Sequence, residues 1–418
     1  MKKLFSLLFL LSVCSFASAQ EYMRIWQSGN NTKVPLSEVT YAANGTTFTA
    51  EGVTYQTSQV DSITFVHIIT VTWNRTQATV EKGNVLGVDY SVEGGDVVIN
   101  STNTHNELEF VLQGASSNGS LTYTGSLKCK FYLNGLSLTS QKGAALDIQC
   151  GKRVALILNE GTNNILVDAP NGLQKAALYC KGHLEIEGAG SLTVIGNSKH
   201  GICTKEYLQL KKSTGNVTVN GAVSDGIHAG QYFLMNGGTV TVNGQQGDGI
   251  QTEILTLDDD ITPNPDKEFN GQIFVKGGTV NVTVTGETRK GIKSDAKMTV
   301  TGGKLDITAT GDGSKGISVK HLQINQDDNT TLIRIMANGS TYEDDVTEEE
   351  TRCMGIKVDK NMAITAGTLQ VSVPTGNTDN RYVKVDGEYY KGADAIVQAS
   401  VTLDKKTGKK VDTMPSWD

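Results

Sequence analysis

The chain has 418 residues, a formal net charge of −7, 46 glycines, only 6 prolines and 6% aromatic residues. Its acidic balance argues against nucleic acid or an anionic lipid surface as partner. A Gly-rich, Pro-poor composition with β-branched runs between the glycines reads as many short strands joined by tight corners, neither a disordered chain nor a helical bundle.

In chain order, Lys2 and Lys3 precede an apolar run, Leu4 to Val13, and Ala17-Ser18-Ala19 offers a small-x-small cleavage site. This pattern predicts an export signal over residues 1–19 and a mature chain from Gln20. The apolar run is too short to span a bilayer, and no later stretch is apolar enough to do so. The expected product is therefore exported: periplasmic, surface-held or extracellular. Residues 20–66 read as a small β module, closing on Val60 to Phe65 (VDSITF). Strands follow from Ile68, with irregular first coils over Asp96–Thr139. Five cysteines remain after the leader, without a CxxC pair, and an odd count leaves at least one unbridged. Buried free thiols are expected.

The main body, 67–400, is governed by a repeat. Its instances are AALYC (Ala176–Cys180), HGICT (His200–Thr204), DGIHA (Asp225–Ala229), DGIQT (Asp248–Thr252), KGIKS (Lys290–Ser294), KGISV (Lys315–Val319) and MGIKV (Met354–Val358). Their apolar anchors Leu178, Ile202, Ile227 and Ile250 fall 24, 25 and 23 residues apart, and Ile292 and Ile317 are 25 apart. Longer gaps hold polar insertions, one beginning at Asp258 and one ending at Glu348-Glu349-Glu350. A second run recurs in step: NGGTVTV (Asn236–Val242), KGGTVNV (Lys276–Val282), TGGKLDI (Thr301–Ile307) and TAGTLQV (Thr365–Val371). A period near 24 with short alternating runs and glycine corners is one turn of a solenoid whose coils stack about 4.8 Å apart. The predicted fold is all-β: a right-handed parallel β-helix (single-stranded solenoid) preceded by the small β module, with a polar C-terminal tail over 401–418. Leucine-rich repeats would need a denser leucine pattern, and propeller blades a longer period.

The stretch NEGTNNILVD (Asn159–Asp168), then Lys175–Asn197, HGICTKEYLQL and SDGIHAG, resembles the bacterial carbohydrate-binding β-helix family, whose fold is pectate-lyase-like. The likeness extends over roughly residues 68–400. It implies a calcium-containing β-helix that binds cellulose-like or acidic polysaccharide at the cell surface, without demonstrated lyase chemistry. The VDSITF segment separately resembles an N-terminal feature of exported surface proteins from gut-type bacteria.

Stacking turns sequence columns into surface stripes. The residue before each motif glycine reads His200, Asp225, Asp248, Lys290, Lys315, Met354. Asp225 and Asp248 are expected on adjacent coils, and the resemblance makes them the pair to hold calcium; the competing expectation is solvated or lysine-paired corner aspartates. The residue after each anchor reads Tyr179, Cys203, His228, Gln251, Lys293, Ser318, Lys357, varying freely in polarity and therefore facing outward. His228, Gln251 and Lys293, with Glu253 and Asp295 two positions beyond the outward column, are the candidate sugar-binding residues, able to bond hydroxyls and pair with uronates. Tyr207, Tyr232 and Tyr389-Tyr390 are the aromatic candidates. The function expected is non-catalytic polysaccharide binding. Two alternatives stand beside it. One is a structural adhesin or stalk whose acidic insertions face cell-surface partners. The other is a pectate-lyase-like enzyme drawing on the Arg289–Asp295 coil.

Overall fold

The computed structural model describes residues 21–83, 85–104, 107–258, 261–326, 331–373 and 381–417; the export-signal reading lies outside them. The chain folds as predicted into a right-handed parallel β-helix of about 12 turns. Its three faces are built by strands that pair with the equivalent strand one coil on, so that the whole forms one continuous hydrogen-bonded system. No helix among the described residues is long and apolar enough to cross a membrane.

The first sheet carries the repeat. It runs through Leu146–Cys150, Ala176–Cys180, His200–Thr204, Ile227–Ala229 and Ile250–Thr252. It continues through the start of Lys290–Val300 and of Lys315–Ile324, then Met354–Val358, Arg381–Val385 and Val401–Leu403. The anchors stand in register as expected: Leu178 beside Ile202, Ile227, Ile250, Ile292, Ile317 and Ile356 in turn. All of them are buried in one core that extends from Ile69 to Ala395. A column of like β-branched residues at strand spacing buries apolar surface with every added coil, which no coil achieves alone.

Two kinds of glycine hold the corners. In the paired glycines the second adopts the left-handed region, with φ +82° at Gly238 and +87° at Gly278, which a Cβ would strain. The motif glycine acts differently. A Cβ on Gly249 would stand 2.4 Å from both the Gly291 carbonyl oxygen and Val282 Cγ1, so this position is glycine because coil and third sheet approach too closely for a side chain.

The N-terminal strands Glu21–Gln27 and Asn30–Pro35 pair antiparallel, and the first also pairs with Ser62–Asn74, which then enters the helix by pairing parallel with Leu108–Ser116. The joint is ionic: Arg24, Lys33 and Lys130 converge on buried Glu109 at 2.9, 2.5 and 3.4 Å. At the other end, Val401–Leu403 and Lys409–Lys410 still pair parallel with the preceding coil. The ladder therefore enters the 401–418 segment read as a tail. All five described cysteines are free and buried.

Candidate functional site

The outward column of the first sheet is continuous. Tyr179, Cys203, His228, Gln251, Lys293, Ser318, Lys357 and Lys384 stand side by side on successive coils. The structure thus places His228, Gln251 and Lys293 in one row, with Glu253 and Asp295 exposed at its edge. Tyr179 and Cys203 depart from the pattern, being buried with Ala176 in a small separate cluster.

At the middle of this row the corner aspartates are structural acceptors. Asp225 Oδ1 accepts the backbone N–H of Asp248 at 2.9 Å, and Asp248 Oδ1 accepts that of Lys290 at 2.8 Å. Each carboxylate so satisfies a buried donor of the next coil, which would otherwise cost on the order of 1–3 kcal/mol. Asp225 Oδ2 faces two imidazoles, His228 Nδ1 at 3.0 Å and His200 Nδ1 at 3.3 Å, and the two rings stack at 4.4 Å. The His228 contact is a hydrogen bond, whereas His200 Nδ1 reaches the oxygen without one. Glu253 Oε1 lies 3.4 Å from the far nitrogen, His228 Nε2.

The charges follow. Burial favours the neutral form of Asp225, but the close imidazoles of His200 and His228 outweigh it and hold the carboxyl well below its usual range. Burial also disfavours charge on His228, yet Asp225 and Glu253 together raise it to about 9. His200 is lowered, first by burial and then by the neighbouring His228 charge. Asp248 is raised, mainly by burial, with Lys290 opposing. The expected calcium pair does not suit that ion. Calcium takes six to eight oxygens, whereas Asp225 is bracketed by imidazole nitrogens and Asp248 sits beside the charges of Lys290 and Lys293.

Further along the same face the sheet opens into a cleft of about 780 Å³. Its floor is Lys315, Met354, Lys357, Arg381 and Lys384; one wall is Glu350, Thr351 and Arg352, the other Thr402 to Lys406. Seven cations line it against two carboxylates, in a chain whose net charge is −7. The walls explain why a cleft exists where the rest of the face is flat. The acidic insertion folds into a short hairpin, Tyr342–Glu343 with Glu350–Thr351, that stands beside the sheet. Lys384 and Lys357 both contact Asp386, at 3.0 and 3.4 Å, and Lys357 also meets Asp359. Lys315 is different: buried, its Nζ bonded to the Gly313 carbonyl at 3.2 Å, with no carboxylate partner among the described residues. Burial, then the charges of Lys290 and Lys357, bring it down to about 8.

A family model described as carbohydrate-binding domain-containing protein matches residues 93–387, which takes in both the histidine cluster and most of the cleft. The chain belongs to that family. A relative from Acetivibrio thermocellus bearing the same description is 33% identical over 95 residues, covering 21% of this chain and 32% of the relative. The match thus spans about a third of that protein's length. The solved structure of a polysaccharide lyase-like protein from C. thermocellum, a gadolinium derivative, aligns with TM-score 0.42 and 17% identity, over 82% of this chain and 99% of that one.

For a carbohydrate-binding domain, one sequence expectation changes in the structure. The aromatic candidates Tyr207 and Tyr232 stack on each other at 4.6 Å, and Tyr207 on His183 at 4.4 Å, so ring faces are spent within the ladder. Phe269 meets Tyr232 edge-on, and Tyr389 is turned into the core. A sugar needs a free ring face. The residues that sequence reading missed are Arg352, Arg381, Lys384, Lys405 and Lys406. The coil RYVKV (Arg381–Val385) lacks the motif glycine, but Lys384 repeats the outward lysine of MGIKV, and that spacing is the signal that would have found it.

Proposed function

We propose that this protein is an exported, non-catalytic binder of acidic polysaccharide, and that the cationic cleft around Lys315, Lys357, Arg381 and Lys384 is where it takes uronate carboxylates. Export rests on the leader pattern of Lys2-Lys3, the Leu4–Val13 run and Ala17-Ser18-Ala19. The observation that carries the ligand class is the sign of the cleft, seven cations against two carboxylates on an acidic protein. Such a patch attracts polyanions and leaves neutral glycans without a distinguishing contact. Gln251 and Lys293, on the row leading to the cleft, extend the track along which a chain lies.

Calorimetric titration with polygalacturonate and with cello-oligosaccharides tests this. Saturable binding of polygalacturonate that weakens with added salt, and little heat from the neutral sugar, is expected. Equal binding of both, or of neither, overturns the reading.

One observation favours a second reading. Lys315, buried and brought to about 8, is a lysine suited to accept a proton. In a lyase it would take the proton beside the uronate carboxylate as the glycosidic C–O bond breaks. The electron pair would become the new C=C bond, and the leaving oxygen would gain a proton. Release of an unsaturated, ultraviolet-absorbing product from polygalacturonate would establish that chemistry; its absence with intact binding supports the binder.

A further inference from the structure

We infer that His200, Asp225 and His228 form a binding site for a divalent transition-metal ion of the zinc type, separate from the cationic cleft. The fold brings them together from two adjacent coils. His200 and Asp225 each precede a motif glycine, and His228 is the outward residue of the second coil. Their ligating atoms all lie within 4.8 Å of one another, and two of the three separations are 3.0 and 3.3 Å. Arms of about 2.0–2.1 Å in tetrahedral zinc sites put neighbouring ligand atoms about 3.3–3.4 Å apart. These side chains stand near that spacing already.

The hydrogen-bond geometry points the same way. Asp225 Oδ2 faces two imidazole nitrogens at once, and only the His228 contact is an aligned hydrogen bond. His200, 2% exposed, is left with a buried Nδ1 whose 3.3 Å contact with Asp225 is not an aligned hydrogen bond, and a buried nitrogen so weakly met costs free energy. One cation at the centre satisfies all three atoms. The supporting contacts are those a metal site uses. Glu253 at His228 Nε2 turns the ring so that Nδ1 faces inward, and the Asp248 N–H fixes the carboxylate through its other oxygen.

Two imidazoles and one carboxylate select a borderline ion such as zinc, cobalt or nickel over calcium or magnesium, which take oxygen ligands. Three protein ligands leave a fourth position for water. The site differs from the calcium expected of Asp225 with Asp248, because the second aspartate is replaced by two histidines.

The test uses chelator-stripped full-length protein titrated with cobalt(II), followed by its visible absorption, and with zinc and calcium separately by calorimetry. One zinc per chain, a tetrahedral cobalt spectrum and calcium too weak to displace cobalt are expected. His200→Gln and His228→Gln should each weaken zinc roughly 100-fold, and Glu253→Gln about 10-fold. Asp225→Asn keeps an acceptor for the Asp248 N–H, so it tests the ligand without removing the coil's support, with circular dichroism confirming the fold. Zinc binding unchanged in the folded His200→Gln/His228→Gln double variant would overturn the site, as would displacement of cobalt by equimolar calcium. No binding of any ion would also overturn it and leave a proton clamp between the imidazoles and Asp225. None of these outcomes depends on whether the cleft binds glycan.

Discussion

Two stretches of one sheet face treat charge in opposite ways. Around Asp225 and Asp248 each carboxylate is answered from within: by the next coil's N–H, by His200 and His228, or by the nearby Lys290. Around Lys315, Lys357 and Lys384, a few coils further on, cations outnumber acids, and buried Lys315 has no carboxylate partner among the described residues. The backbone is the same in both, a parallel ladder with strands about 4.8 Å apart. A ladder repeats whatever stands in a column, so like charges accumulate unless the sequence interrupts them. At the aspartates the column is interrupted by histidine on one side and lysine on the other. At the lysines only the uncharged Ser318 and Met354 interrupt the columns, and cations still outnumber the carboxylates that line the cleft.

The largest effect should come from removing cations from the cleft. Arg381→Ala with Lys384→Ala, or reversal by Lys384→Glu with Lys405→Glu, is expected to weaken polygalacturonate binding at least about 100-fold, since charged hydrogen bonds contribute roughly 1.5–3 kcal/mol each. Gln251→Ala should change it by no more than a few-fold. Titration calorimetry compares them directly. A loss at Gln251 as large as at the lysines would erase the contrast between the two stretches.

The solenoid was legible because its signal is a period, and the anchors Leu178 to Ile356 fall into register with no correction. The outward row was legible for the same reason. The cleft was not, because its walls are aperiodic. Arg352 belongs to an insertion and Lys405-Lys406 to the chain end, and only folding sets them beside Lys357. The histidine cluster was missed for a different cause. His200 belongs to the corner column and His228 to the outward column, and one carboxylate joins the two. Column by column reading keeps such neighbours apart, although each was named as a member of its own column.

At the self-satisfied stretch, mutation should act on stability. Asp225→Ala strands the Asp248 N–H and removes the partner of two imidazoles, so a loss of about 2–4 kcal/mol in chemical denaturation is expected. Asp248→Ala, which strands only the Lys290 N–H, should cost about 1–2 kcal/mol. Polygalacturonate affinity at the distant cleft should stay within about 2-fold in both, by the additivity of separated sites. Equal stability losses would mean that the imidazole contacts add nothing to the shared backbone cap.

Lys315 sharpens the comparison from the other side, because one group should drive two opposite slopes. Its folded value is about 8 against an ordinary 10.5. Between those limits the unfolded chain holds a proton that the folded chain has lost, so stability should rise as pH climbs from about 8 to 10.5. Below about 8 the folded protein carries a buried, unpaired cation, and there the cost is constant. Glycan binding needs that cation, so affinity should fall, a few-fold, as pH passes through the same value. Lys315→Met should flatten the lysine's part of both slopes, stabilise the free protein by on the order of 2 kcal/mol at neutral pH, and weaken binding. Denaturation and titration across this pH range in wild type and variant read both at once. A variant that loses stability would show that Lys315 supports the coil through Gly313 more than its charge burdens it. A variant that keeps full affinity would place the uronate on the other cations of the cleft.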